Sequence, residues 1–131
     1  MKATLRRRGP LGAAPRVLLA VALCGALAAC ADDPPPLAGG DAERGRLLLR
    51  QFGCGTCHRI PGVAAATGNV GPPLAGVARR VYLGGMLPNT PENMARWIRE
   101  PRHFDPDTAM PDLPVSERHA RDMVAYLQGL R

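Results

Sequence analysis

The motif Cys54-Gly55-Thr56-Cys57-His58 constrains this chain more than any other part of its sequence. Two cysteines separated by two residues and followed at once by a histidine are typical of c-type haem attachment. Each thiol adds across one vinyl group of the porphyrin, and the adjacent imidazole then lies beneath the ring, where it can bind the iron. The motif therefore predicts covalent haem on Cys54 and Cys57, with His58 as the proximal iron ligand.

The Cys-x-x-Cys part of the motif has two other interpretations. It occurs in thiol–disulfide oxidoreductases, and it also forms half of many zinc sites. An oxidoreductase of that kind would need a βαβ unit around the motif, and no strand is predicted before Cys54. The motif alone leaves these alternatives open, and the rest of the chain favours haem.

Residues 1–29 have the pattern of a signal peptide of the lipoprotein type. Five basic residues, the last of them Arg16, precede an uncharged stretch of 13 residues from Val17 to Ala29. This stretch is too short for a membrane span of about 20 residues, but it suits the apolar region of a signal peptide. It runs into Leu27-Ala28-Ala29-Cys30, which resembles a bacterial lipobox. Cys30 is therefore predicted to become the acylated N-terminus.

Two alternatives remain for this N-terminal segment. An ordinary signal peptidase could cut near Ala26-Leu27-Ala28, or the segment could stay uncleaved as a short anchor. All three interpretations place the folded part on the periplasmic side of a bacterial membrane, where thioether-linked haem is assembled. Residues 30–40 contain three successive prolines and Gly39-Gly40. They are predicted to form an extended tether between the membrane and the folded domain.

The net charge of +6 arises mainly from the N-terminal segment. From Cys30 onward the chain has 12 arginines, no lysine and 11 acidic residues, so its charge is close to +1. Nucleic-acid binding requires clustered positive charge, and the sequence from Cys30 onward has no such cluster. We therefore expect protein and membrane partners, and no nucleic acid.

Residues 41–131 are predicted to form one all-α domain with long loops and three to five helices. Helix starts are indicated by Asp41, Thr90 and Ser116, and helix ends by Gly53, Pro101 and Gly129. A short helical turn is predicted over residues 74–80, and residues 82–89 are predicted to be a loop. The residues expected on apolar helix faces are Leu47, Leu48, Phe52, Met94, Trp97, Ile98, Ala120, Met123, Val124, Tyr126 and Leu127.

Only five aromatic residues occur in the whole chain, so a domain of this size has little core of its own. A haem enclosed by the helices would supply the missing apolar volume. Gly45 lies inside the first predicted helix, where glycine costs about 1 kcal/mol relative to alanine. Another helix crossing at this point would explain the glycine.

Further motifs follow the attachment motif in a fixed order. They are Gly71-Pro72-Pro73-Leu74, the helix with Trp97 that ends at Pro101, Thr108-Ala109-Met110-Pro111, and Ala125-Tyr126-Leu127 in the last helix. Together with the haem motif, they resemble the class I monohaem cytochromes c over residues 40–131. The stretch 89–111 is also similar to the cytochrome domain fused to some haem–copper oxidase second subunits, although the copper-binding half of such subunits is absent.

The resemblance implies a role for eight residues at the cofactor. Cys54 and Cys57 would carry the haem, His58 and Met110 would be the axial iron ligands, and the Pro72 carbonyl would accept a hydrogen bond from the second nitrogen of His58. Leu74 and Trp97 would form walls of the site, and Arg80, or its neighbour Arg79, would lie near a haem propionate. It also implies that Gly45 permits a close crossing of the last helix near Met123 and Tyr126.

The other methionines and histidines have ordinary alternatives to iron binding. Met94 and Met123 lie on predicted apolar helix faces, and Met86 lies in a predicted loop. His103 and His119 lie among charged residues and are expected at the surface. We therefore expect none of these five to bind the iron.

The resemblance implies an electron carrier rather than an enzyme, one that would be monomeric on its own. It would pass single electrons through one covalent haem c towards a terminal oxidase. Its electrons would come from a quinol-oxidising complex, or it would act as the acceptor of a periplasmic dehydrogenase. A different class, a haem sensor, would require Met110 to be a displaceable ligand.

Overall fold

The computed structural model describes residues 39–131, so the predicted signal peptide and Cys30 lie outside the described residues. In chain order the helices are α1 (Ala42–Gln51), α2 (Pro91–Arg99), α3 (Pro101–Phe104) and α4 (Glu117–Leu127). Two 3₁₀ helices (Cys54–Thr56 and Val77–Arg79) and two short strands, β1 (Tyr82–Leu83) and β2 (Leu87–Pro88), lie between α1 and α2. No helix within residues 39–131 is long and apolar enough to cross a membrane.

The predicted helix starts are confirmed by side-chain caps. The carboxylate of Asp41 accepts a hydrogen bond from the Arg44 backbone N–H at 2.9 Å. The Thr90 hydroxyl accepts from the Asn93 N–H and the Ser116 hydroxyl from the His119 N–H, each at 3.2 Å. These bonds satisfy backbone donors that a helix N-terminus otherwise leaves without partners.

The second helix ends just before Pro101, as predicted: α2 stops at Arg99, and Pro101 begins the short helix α3, a position where proline loses no hydrogen bond. One detail of the predicted helices is wrong. The prediction placed Leu47 on the buried side of α1, whereas this side chain is 51% exposed and Leu49 is buried instead. Gly45, Leu48 and Leu49 are the buried residues of α1, and they follow the i, i+3, i+4 spacing from which Leu47 departs.

The loop predicted over residues 82–89 contains a small hairpin. Strands β1 and β2 pair antiparallel, with Leu83 opposite Leu87. The turn between them uses Gly84 and Gly85, whose φ angles of 56° and 77° lie in the left-handed region that glycine adopts without steric cost. The fold class remains all-α as predicted, with this two-stranded hairpin and an isolated bridge between Arg59 and Thr67 added.

Helices α1 and α4 cross at Gly45. A Cβ atom added to Gly45 would lie 1.9 Å from the Asp122 carbonyl oxygen and 2.9 Å from the Met123 nitrogen. The predicted crossing near Met123 is therefore confirmed, with its centre one residue earlier. Tyr126, the other predicted partner, instead donates its hydroxyl to the Pro61 carbonyl at 2.6 Å.

An ion pair between the partly exposed Arg44 and a buried carboxylate, that of Asp122, fixes the same crossing. The Asp122 side chain is fully buried and accepts from Arg44 Nε at 2.5 Å and Nη2 at 2.7 Å. It also accepts from the Asp41 backbone N–H at 2.9 Å. The hydrogen bonds from Arg44 hold the pKa of the Asp122 carboxyl below its ordinary value, which keeps this buried group charged.

We expect Gly45→Ala to destabilise the haem-loaded protein by about 1–3 kcal/mol, because the added methyl group forces the two helix backbones apart. This cost exceeds the gain of about 1 kcal/mol that alanine brings to a helix interior. Denaturant unfolding followed by circular dichroism measures the difference.

Leu47→Ala is the matched control on the exposed side of α1, with an expected change within about 0.5 kcal/mol. A Gly45→Ala midpoint equal to or above that of the wild type would contradict the close crossing.

Candidate haem-binding site

Two adjoining cavities open between the helices and the loops. The larger has a volume of about 540 Å³ and the smaller about 100 Å³. The larger volume lies in the range of about 300–1,000 Å³ that is usual for cofactor and ligand sites. Six residues line both cavities: Cys54, His58, Gly84, Trp97, Met110 and Leu113.

The structure brings all eight predicted cofactor-binding residues to these cavities. Cys54, His58, Trp97 and Met110 line both. Cys57 and Pro72 line the larger cavity, and Leu74 and Arg80 line the smaller one. Cys54 and Met110, which are 56 positions apart in the sequence, therefore border the same space in the fold.

The attachment motif follows α1 as a 3₁₀ helix over Cys54–Thr56. The His58 N–H donates to the Cys54 carbonyl at 3.0 Å, which closes the turn so that both thiols and the imidazole lie in one compact loop. Cys54 and Cys57 are both free and half-buried. Two unpaired thiols beside a cavity of this size are the groups that thioether attachment requires.

The surroundings of the cysteines do not suit the two alternative uses of the motif. Burial raises the pKa of the Cys54 thiol, whereas a nucleophilic cysteine needs a lowered one. Helix α1, not a strand, precedes the motif. Within residues 39–131 no three His, Cys, Asp or Glu side chains form a cluster that could hold a metal ion, as a zinc site of protein side chains would require.

The hydrogen bond that the resemblance implies for His58 is present. Nδ1 of His58 lies 2.8 Å from the Pro72 carbonyl oxygen. A carbonyl can only accept, so Nδ1 carries the proton and Nε2 keeps its lone pair for a metal ion. This second bond also fixes the ring orientation and makes Nε2 a stronger donor.

Gly71 is a site residue that sequence reasoning did not single out. A Cβ atom at this position would lie 2.3 Å from Cε1 of His58 and 2.7 Å from Nδ1. The Gly71 N–H donates to the Cys57 carbonyl at 2.9 Å, which holds the Gly71 backbone against the ring. Its place at the start of Gly71-Pro72-Pro73-Leu74 was the signal that could have identified it.

Met110 lies in the loop between α3 and α4. Its backbone N–H donates to the Thr108 hydroxyl at 3.3 Å, and both residues line the larger cavity. Ala109 and Pro111 line the same cavity. Met110 therefore borders the larger cavity from this loop, and His58 borders the same cavity from the attachment motif.

The five other methionines and histidines considered as iron ligands differ in burial and in their distance from the cavities. Met94 lines the smaller cavity and is only 2% exposed, Met123 is fully buried in α4, and Met86 is 46% exposed. His103 is exposed with its ring edge against Phe104, at a centroid distance of 4.9 Å. His119 is half-buried, 5.9 Å from the Phe52 ring. Of these five residues, only Met94 borders either cavity.

Trp97 forms a wall of both cavities and is covered by the hairpin turn. A Cβ atom at Gly84 would lie 2.5 Å from Cη2 of the indole, so the turn packs directly on the ring. The Phe104 ring lies at a centroid distance of 6.4 Å. The hairpin thus supports the Trp97 wall of the site, a role that the predicted loop over residues 82–89 did not indicate.

Arg80, and not Arg79, reaches the site. Arg80 is half-buried, lines the smaller cavity and donates through Nη2 to the Pro73 carbonyl. Arg79 is exposed and lines neither cavity. The donor set and the largely apolar walls fit a haem c: two thiols for attachment, an imidazole and a thioether for iron, and one cation at the rim.

Residues 42–131 match the family model described as Cytochrome c. The chain belongs to the cytochrome c family, whose members bind haem c covalently and carry electrons rather than catalyse reactions. The predicted family, fold class and cofactor are thereby confirmed.

Two curated relatives and one solved structure are similar to this chain. Cytochrome c oxidase subunit 2 of Alkalihalophilus pseudofirmus is 32% identical over 91 residues, which are 69% of this chain and 26% of that protein. Cytochrome c-552 of Bradyrhizobium diazoefficiens is 33% identical over 110 residues, 83% of this chain and 92% of that one. The structure of cytochrome c2 from Rhodobacter sphaeroides superposes with a TM-score of 0.49 at 24% identity, covering 70% of this chain and 96% of that chain. The chain thus spans about a quarter of the oxidase subunit and most of the cytochrome c-552.

We expect Gly71→Ala to displace the His58 ring, because the new methyl group would overlap the imidazole. The haem-loaded variant should lose about 1–3 kcal/mol of stability and show an altered low-spin spectrum. Electron paramagnetic resonance and visible spectra of the purified protein measure the ligation change.

Asn69→Ala is the control, because Asn69 is an exposed neighbour two residues away. Wild-type spectra and stability in Gly71→Ala would mean that the glycine backbone does not position the ring.

Proposed function

We propose that this protein is a lipid-anchored periplasmic cytochrome c that passes single electrons to a terminal oxidase, with His58 and Met110 as the axial ligands of its haem. The observation that carries the proposal is the similarity of 91 residues to a cytochrome c oxidase subunit 2. Haem c, when bound, stores one electron as its iron alternates between Fe(III) and Fe(II).

The side chains of His58 and Met110 would set the reduction potential of the haem. The bond of His58 to the Pro72 carbonyl, at 2.8 Å, holds the imidazole in the tautomer that can bind a metal ion through Nε2. The thioether of Met110 is a soft, weak donor that favours Fe(II) over Fe(III), so a His/Met pair raises the reduction potential. With His58 and Met110 both bound to the iron, no open site would remain for oxygen binding or peroxidase chemistry.

The walls of the cavities limit the access of water. Leu74, Val77, Leu83, Ile98, Leu113 and Leu127 are apolar residues that line the smaller cavity, and Trp97 closes one side of both. A dry, apolar shell keeps the two oxidation states in nearly the same surroundings and raises the potential by disfavouring the more highly charged form. Because this shell would keep dissolved molecules away from the haem, electrons would be exchanged with a redox partner protein and not with a dissolved substrate.

The similarity to an oxidase subunit suggests which redox partners the protein has. A domain similar to part of an oxidase subunit is suited to deliver electrons to a haem–copper oxidase, and an acyl chain on Cys30 would hold it at the membrane. The donor would be a quinol-oxidising complex or a periplasmic dehydrogenase. The folded domain would act as a monomer.

A haem sensor is the second candidate. It is favoured by the position of Met110, a half-buried residue in a loop whose backbone N–H donates to the Thr108 hydroxyl at 3.3 Å. A methionine on such a loop can leave the iron more readily than one on a helix. A sensor would therefore bind a small ligand without any mutation.

We expect Met110→Ala to open the sixth position of the iron. The reduced variant should bind carbon monoxide, its potential should fall, and the methionine–iron charge-transfer band near the red end of the oxidised spectrum should disappear. Visible spectroscopy and an equilibrium redox titration of the purified protein measure these changes.

Met94→Ala is the sharpest control, because Met94 also lines a cavity, and Met86→Ala and His103→Ala are remote controls. All three should keep a six-coordinate iron. Retention of the charge-transfer band in Met110→Ala would show that the ligand is another residue, and carbon monoxide binding by the reduced wild type would favour the sensor.

The anchor and the acceptor can be tested in one preparation of membranes. We expect the wild type to sediment with the membranes and, once reduced, to be oxidised there in a cyanide-sensitive reaction by a haem–copper oxidase. In Cys30→Ser the haem domain should fold but appear in the soluble fraction, because no acyl chain holds it.

Adding the soluble Cys30→Ser protein back to oxidase-containing membranes should restore cyanide-sensitive oxidation at a lower rate. Cys30→Ser could also be misprocessed and keep its signal peptide, so membrane retention would contradict the lipid anchor only where mass spectrometry shows that the signal peptide has been removed. Absence of cyanide-sensitive oxidation of the wild type would contradict the oxidase as acceptor and leave a dehydrogenase partner.

A further inference from the structure

Asn89 lies where the hairpin meets α2, directly after β2 and directly before the cap residue Thr90. Its backbone N–H donates to the Val81 carbonyl at 2.9 Å, which closes the base of the hairpin. The residue therefore belongs to the segment that leads from the cavity wall into helix α2. The family likeness assigns no role to it.

The side chain of Asn89 clamps the turn that precedes Arg80. Its Nδ2 donates to the Val77 carbonyl and to the Arg80 carbonyl, each at 2.8 Å. Because carbonyl oxygens only accept, the amide must point its nitrogen at this turn. Its Oδ1 is buried and has no hydrogen-bond partner, so two donated bonds hold the side chain in place.

The clamp is connected to His58 through two hydrogen bonds and the Pro72–Pro73 backbone. Arg80 donates to the Pro73 carbonyl, and the preceding carbonyl, that of Pro72, accepts from Nδ1 of His58 at 2.8 Å. Arg80 also lines the smaller cavity. Asn89 thus fixes the backbone from which the Arg80 side chain extends to the smaller cavity.

We propose that Asn89 is a positioning residue that raises the reduction potential of the haem by holding Arg80 at the cavity wall. A fixed cation beside the site stabilises the reduced iron, which carries one positive charge less than the oxidised iron. An arginine released from this position extends into water, where solvent screens its charge. The inference depends on haem in this cavity and is independent of the proposed acceptor.

The test is a double-mutant cycle on the reduction potential of the haem-loaded protein. Asn89→Ala and Arg80→Met should each lower the potential, Arg80→Met by more. The double variant should have the potential of Arg80→Met alone, because Asn89 acts only through Arg80. Equilibrium redox titration measures all four proteins.

Asn93→Ala is the matched control, since the Asn93 amide donates to the Pro88 carbonyl at 3.0 Å in the same segment. Its potential should equal that of the wild type. An unchanged potential in Asn89→Ala, additive shifts in the double variant, or an equal shift in Asn93→Ala would each overturn the proposal. If Asn89→Ala does not load haem, Asn89→Ser, which keeps one hydroxyl donor, replaces it in the same cycle with the same criteria.

Discussion

The close crossing of α1 and α4 is the constraint on which the rest of the described structure depends. It requires glycine at position 45, where the backbone of α4 takes the space of a side chain. It also requires Asp122, whose buried carboxylate accepts three hydrogen bonds from the start of α1. A buried charge that loses its partners is costly, so this pair specifies one register of the two helices. The close contact at Gly45 and the ion pair of Asp122 thereby favour the same arrangement of α1 and α4.

The crossing determines where the cofactor site lies. Helix α1 ends immediately before the attachment motif, so the position of α1 fixes that of Cys54. Leu49 of α1 and Leu127 of α4 both line the smaller cavity, and Phe52 lines the larger one. The two helices therefore form one rigid side of the site, and the loops between α1 and α4 supply the opposite side.

The parts of the fold and site that the sequence predicted correctly have short-range signals. Helix caps, the attachment motif and the glycine inside α1 are each recognisable within a few residues. Asp122 was missed because its partners, Arg44 and Asp41, lie 78 and 81 residues away in the chain. The hairpin was missed because its strands have only two residues each, too few for an alternating pattern, and its turn depends on the φ angles of two glycines. The contact of Gly71 with the His58 ring likewise exists only after the loop has folded.

The loop side of the site is built in a different way from the helical side. Its residues are held by hydrogen bonds from side chains to backbone carbonyls: His58 to Pro72, Arg80 to Pro73, Asn89 to Val77 and Arg80, and Tyr126 to Pro61. Each such bond joins segments that share no helix or strand ladder, so no regular backbone pairing can replace it. The glycine contact and the ion pair at the crossing hold α1 and α4 together, and these few side-chain bonds orient His58 and Arg80 at the cavities. The orientation of these side chains therefore depends on bonds that lie outside the helix crossing.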